Sequence, residues 1–170
     1  YDSDKFYNII DTEKFIVAYL RSDGNTWDIG GTKDQNFVLQ TIDEMHTKYG
    51  INKNRVYWSG FSMGSMLMYH CMGNVQDKIA AFAPTSGIQF SEQPWNNCKK
   101  PVNLIHCHAY GDDVFGYEQY GIRSYVENMV IEQKYGFNRT TGKTFVTDQL
   151  RDLLIALALS SIQKLKDLFQ

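Results

Sequence analysis

The residues with the plainest capacity for chemistry stand in a row: Gly60-Phe61-Ser62-Met63-Gly64, a match to G-x-S-x-G. A serine in this pattern is a nucleophile for acyl transfer. The turn that carries it must be so tight that the serine takes strained backbone angles, and the flanking glycines leave room where side chains would collide. Ser62 then stands above a sheet at a helix N-terminus. The Met63 backbone N–H points to where a tetrahedral oxyanion would develop. The bland alternative, a serine that merely caps a helix, requires neither a preceding strand nor both glycines in register. A second pair, His106 and His108, lies two apart on a strand-like run and shares one face. That spacing suits a metal, but no third ligand is evident.

Ser62 needs a strand before it and a helix after it, and the sequence supplies both. Residues 55–59 (Arg-Val-Tyr-Trp-Ser) read as a strand and 62–72 as a helix stopped by Gly73. Upstream, the apolar run Phe15-Ile-Val-Ala-Tyr-Leu20 reads as a strand buried on both faces. Thr32-Lys-Asp-Gln35 resembles a capping box opening a helix with Val38, Ile42, Met45 and Tyr49 on one face, ended by Gly50. Downstream, residues 79–83 and 102–108 read as strands and 119–134 as a helix, with a Pro-containing loop over 89–100. Strands alternating with helices imply parallel β-α-β units, so the fold class is α/β: one domain, a mostly parallel sheet and helices on both faces.

Residues 148–170 differ in character. Leu150, Leu153, Leu154, Leu157, Ile162, Leu165 and Leu168 fall near one helical face, giving an amphipathic C-terminal helix that packs on the sheet or self-associates. The longest apolar run, Leu153 to Leu159, is too short to span a bilayer, so no membrane role is expected. With 17 Lys+Arg against 19 Asp+Glu and no basic block, nucleic acid is not an expected partner. Cys71, Cys98 and Cys107 lack C-x-x-C spacing; a Cys71–Cys98 bridge with a strand-buried, reduced Cys107 is one arrangement.

Trp27-Asp-Ile-Gly-Gly31, Tyr49-Gly-Ile-Asn-Lys-Asn-Arg-Val-Tyr57, Gly60-Phe-Ser-Met-Gly64 and Ala83-Pro-Thr-Ser-Gly87 follow one another in an order and spacing that resembles the polyhydroxybutyrate-depolymerase-like α/β-hydrolases. This group includes the secreted feruloyl and acetylxylan esterases of carbohydrate esterase family one. The resemblance runs from about Phe15 to Tyr135 and is nearest to the rumen-fungal feruloyl (cinnamoyl) esterases. It implies an α/β-hydrolase fold, a serine carboxylesterase with a Ser-His-Asp triad, no cofactor and no metal. It further implies an extracellular setting, with feruloylated or acetylated polysaccharide as substrate. Acetylxylan esterase and polyhydroxybutyrate depolymerase are the neighbouring activities, and a non-catalytic carbohydrate- or partner-binding remnant is the competing class. The sequon Asn138-Arg139-Thr140 is compatible with secretion.

In that family the acid follows a late strand in an H-G-x-x-D pattern, and His108-Ala-Tyr-Gly-Asp112 takes that place. Asp112 is therefore the implied acid, with adjacent Asp113 as the second choice. The triad order in this fold is Ser, acid, His. All four histidines (His46, His70, His106, His108) precede Asp112, so the expected base is missing, and His108 is the one weak substitute. The glycine-rich early loop that supplies the second oxyanion donor also has no counterpart in residues 1–14. The chain is thus expected to be an altered or partial hydrolase of weak activity. Trp27, Tyr110 and Phe115, near strand ends and loops, are the aromatic residues placed to stack on an acyl group or sugar.

Overall fold

The computed structural model describes residues 15–89, 98–100 and 102–127, and the backbone of 137–138 and 143–144. Helix α1 spans Lys33–Tyr49, β1 Tyr57–Phe61, α2 Met63–Val75 and β2 Ala81–Thr85. β1 and β2 pair in parallel, Tyr57 opposite Ala81 through Phe61 opposite Thr85. A third lane continues the sheet. Leu104 bridges to Phe82 and Cys107 to Thr85, both in parallel, and the Ile105 and Cys107 amides donate to the Phe82 and Pro84 carbonyls at 3.0 Å each. Farther on, β3 (Phe137–Asn138) and β4 (Lys143–Thr144) form a short antiparallel pair. This arrangement is compatible with the α/β class; the remaining strands of a complete hydrolase sheet are not among the described residues.

The core lies between α2 and the sheet. Leu67, Met68, Tyr69, Met72 and Val75 of α2 pack with Phe82 and Ile122, and Val38 and Ile42 of α1 join the same buried cluster. Burying such side chains contributes ~1.5 to 3 kcal/mol each. Among the described residues, helices cover only one face of the sheet. Tyr57, Ser59, Phe61, Ile105 and Cys107 alternate onto the other face and are exposed. The expectation of helices on both faces is not met within these residues, and Cys107 is exposed rather than buried in its strand. Cys71 is a free, buried thiol, so no Cys71–Cys98 bridge is formed.

Several boundaries shift for physical reasons. Both strands begin two residues later than the apolar runs. Lys53–Arg55 closes a 3-10 turn, held where the Asn52 side chain accepts the Asn54 amide, and this delays β1. Ala80 spends its amide on the Val56 carbonyl before β2 begins. Residues 15–20 form no strand, and Phe15, Ile16 and Tyr19 are exposed. α2 runs through Gly73 to Val75, where the Gln76 side chain caps the Gly73 carbonyl at 2.8 Å. The capping box of α1 does not form: Thr32 makes no side-chain cap bond. Asp28 accepts the Lys33 amide instead at 3.0 Å, and Asp34 reaches back to the Asp28 amide. Of the helix expected over 119–134, residues 122–127 are helical and 128–134 lie outside the described residues, as does the whole segment 148–170.

Candidate active site

The elbow at Ser62 is built by main-chain crowding. Ser62 takes φ 51° and ψ −116° at the N-cap of α2, a backbone conformation that costs on the order of 1 to 3 kcal/mol for a non-glycine residue. Close packing enforces it. A Cβ on Gly60 would lie 2.6 Å from the Gly64 carbonyl carbon and oxygen, and one on Gly87 would strike the Ser62 carbonyl oxygen. The Ser62 amide donates to the Thr85 carbonyl at 2.9 Å, tying the elbow to the end of β2. Ser65, fully buried, bolts the same junction. Its Oγ accepts the Thr85 amide at 2.6 Å and lies 2.7 Å from the Gly60 carbonyl and 2.9 Å from that of Thr85.

One part of the motif reading needs correction. A Cβ on Gly64 would meet nothing within 4 Å, so Gly64 leaves no necessary room; the second required glycine is Gly87, in the next lane. The Ser62 side chain makes no capping bond, which disfavours the reading of Ser62 as a helix cap. Met63, the first residue of α2, has one of the amides that a helix leaves unpaired at its start. Oxyanion stabilisation needs such a donor. Residues 1–14, in which the sequence shows no counterpart of the loop that would supply a second donor, lie outside the described residues.

The candidate acid, Asp112, lies on the loop after the third lane. Asp112 Oδ1 accepts the Phe115 and Val114 amides at 2.8 and 3.0 Å, and Oδ2 lies 3.5 Å from His108 Nε2. These amides, with help from the Ser86 hydroxyl and the nearby His108, hold the Asp112 carboxyl below the usual aspartate range despite some desolvation. It is therefore ionised at neutral pH. Ser86 joins the two halves: it follows β2 with φ 49°, donates its amide to the Cys107 carbonyl at 3.0 Å and directs its side chain to Asp112. Ser62, Ser86 and Asp112 thus end three adjacent lanes at their carboxyl edge, where open α/β sheets bind ligands. Asp113 is exposed beside this turn.

The four histidines are all accounted for, and none is bonded to Ser62. His46 Nδ1 pairs with the Ile51 carbonyl at 2.7 Å and His70 Nε2 with the Gly31 carbonyl at 2.8 Å. His106 and His108 bond to each other at 3.3 Å. His108 Nε2 lies 2.7 Å from the Phe115 carbonyl, inside the acid loop. Its side chain is 1% exposed. Both His108 ring nitrogens are thus engaged, with His106 and with the loop that carries Asp112. Burial and the His108 ring push His106 down to about 4. The described residues hold no cluster of three or more metal-ligating side chains.

The three aromatic candidates separate. Tyr110 is 74% exposed and tilts onto Tyr117 at 5.4 Å. Phe115 is half-buried against Tyr120 at 5.8 Å, so both sit on the loop that carries Asp112. Trp27 instead packs against the core from the loop before α1. Sequence reasoning missed the structural roles of Ser65, Ser86, Gly87 and Tyr69. A Ser-Gly pair directly after a strand was the available signal for Ser86 and Gly87; nothing local marks Tyr69.

The chain is 46% identical over 113 residues to a bifunctional acetylxylan esterase/xylanase of Neocallimastix patriciarum, a match covering 65% of this chain and 16% of that relative. It thus spans only a small part of the curated relative. This likeness supports a carbohydrate esterase relationship. A family model described as CAAX prenyl protease N-terminal, five membrane helices, matches residues 123–163. Most of that stretch lies outside the described residues, among which no helix is long and apolar enough to cross a membrane. No solved structure matches the chain.

Proposed function

We propose that this chain carries the nucleophile and the acid of a serine-type ester hydrolase acting on acylated plant cell-wall polysaccharide outside the cell. The observation that carries the reading is the backbone of Ser62: a left-handed serine at a helix N-terminus whose hydroxyl is not spent on capping. In the proposed reaction Ser62 Oγ adds to the acyl carbonyl as its proton passes to a base. The Met63 amide meets the oxyanion, the sugar hydroxyl leaves, and water hydrolyses the Ser62 ester. Asp112, ionised and held by two amides, is the orienting carboxylate. With no histidine bonded to Ser62, turnover is slow, because a triad lacking its base loses several orders of magnitude.

Acetyl and feruloyl esters are the two substrate classes. Acetyl is supported by the name of the relative; feruloyl is supported by the exposed ring of Tyr110 and the half-buried Phe115 on the acid loop. Release of acetate from acetylated xylan and of ferulate from methyl ferulate, with imidazole added as base, distinguishes them when each rate is compared with Ser62→Ala. Equal rates from the two proteins on both substrates would leave the carbohydrate-binding remnant as the better reading.

The family match over residues 123–163 supports a second, separate reading of that segment alone, as a membrane-associated stretch. Flotation of the full chain with phosphatidylcholine vesicles tests it. Recovery of the protein entirely in the vesicle-free fraction would leave the amphipathic, protein-packing reading of residues 148–170.

A further inference from the structure

The turn that carries Asp112 is tied to the protein interior by a chain of three side chains, and one placement of the ring protons satisfies every bond in it. The Phe115 carbonyl only accepts, so His108 Nε2, 2.7 Å away, carries the proton. With that proton as its one N–H, His108 presents Nδ1 as an acceptor. Its partner 3.3 Å away, His106 Nε2, must then donate. That leaves His106 Nδ1 bare, and it takes the hydroxyl proton of Tyr69 at 2.8 Å. The two rings are near-parallel at 8°, with centroids 5.5 Å apart. Tyr69 is fully buried in α2, its ring edge-on to Tyr125 at 5.5 Å. His106 is neutral near pH 7 because burial and its neighbour push it down to about 4. Every donor in the chain therefore points one way, from the core of α2 outward to the acid turn.

We propose that Tyr69 and His106 are positioning residues: they hold His108 in its Nε2–H form, and that one proton pins the Phe115 carbonyl and faces Asp112 Oδ2 at 3.5 Å. The tautomer is the transmitted quantity. Were His106 to carry its proton on Nδ1, His108 would have to place its own on Nδ1 to keep their bond. The Phe115 carbonyl would then face a bare nitrogen. The Tyr69 hydroxyl guards against this by occupying His106 Nδ1 as a donor. That this turn serves catalysis rests on Asp112 being the acid; the relay itself does not.

The test is long-range nitrogen–proton NMR on histidine-labelled full chain, with amide exchange at Val114 and Phe115, the two amides that Asp112 Oδ1 accepts. The wild-type chain should show both His106 and His108 as Nε2–H. Tyr69→Phe keeps the ring and removes the donor; it should give Nδ1–H signal at both histidines and speed exchange at Val114 and Phe115 by about tenfold, the worth of one net hydrogen bond. His106→Leu should do the same to the two amides. Either a wild-type His106 in the Nδ1–H form or unchanged tautomers in Tyr69→Phe would overturn the proposal. So would equal acceleration of the α2 amides, which marks a packing loss. Tautomers as expected with no Ser62-dependent ester release would sink the catalytic reading and leave the relay standing.

Discussion

The two halves of the candidate site are held by opposite means. Around Ser62 the constraint is steric and lies in the main chain: Gly60 and Gly87 admit no Cβ, and backbone carbonyls and a buried serine lock the junction of β1, α2 and β2. Around Asp112 it lies in side-chain hydrogen bonds, from Tyr69 through two imidazoles to one carbonyl. A nucleophile must sit in a conformation the chain resists, so rigid crowding suits it. An acid needs only to be aimed and kept ionised, and directed hydrogen bonds do that at less backbone strain. The first device has a local sequence signature, and the second has none.

The steric half should break hardest. Gly60→Ala and Gly87→Ala each force a Cβ against main-chain atoms, so each is expected to cost ~3 kcal/mol or more, read as a lowered urea midpoint. A loss under ~1 kcal/mol for both would show that the elbow relaxes freely. Next comes the side-chain half, through pH. His106 sits at about 4 in the folded protein against an ordinary 6.5, so the unfolded chain binds more protons between those values. Stability therefore rises with pH across that window and is flat above it, a total of roughly 3 kcal/mol. Asp112, also lowered, adds a loss of the same sign, but only as pH falls below its ordinary 3.8 and through its lowered value, beneath this window. His106→Leu should flatten the slope, and an unchanged slope would mean that His106 is not the group responsible.

Ser65→Ala is expected to cost about 1 to 3 kcal/mol, because it strands the part-buried Thr85 amide that its Oγ accepts. The smallest effect separates motif from structure. Gly64→Ala meets open space and gains helix propensity, so the change should be neutral or stabilising by up to ~1 kcal/mol. Thermal melts of the two proteins would measure it. A large loss would restore Gly64 to the steric account.

What the sequence made legible follows the same division. G-x-S-x-G between a strand and a helix located Ser62 at the strand-to-helix elbow because one part of its constraint, the crowding at Gly60, is local and read from residue type. The alternation of strand and helix gave the parallel pairing of β1 and β2 for the same reason. Strand starts slipped by two residues because the turn at Lys53–Arg55 competes for the first residues of the apolar run. Residues 15–20 looked like a strand from composition alone, yet pairing needs a neighbour, which no local pattern supplies. Gly87 and Tyr69 were illegible as site residues: one matters through the next lane, the other through a partner 37 positions away. Spacing marks His108 as a candidate base but cannot show that its two ring nitrogens face His106 and the Phe115 carbonyl.

The central claim, that Ser62 is a nucleophile set on a strained elbow, is tested most directly by trapping its ester. The full chain is incubated with p-nitrophenyl acetate and imidazole, quenched in acid and digested, and the acetyl group is located by mass spectrometry. The account expects acetyl on the Ser62 peptide, absent in Ser62→Ala and reduced in Asp112→Asn. No acetyl on Ser62, with p-nitrophenol released equally by all three proteins, would contradict it.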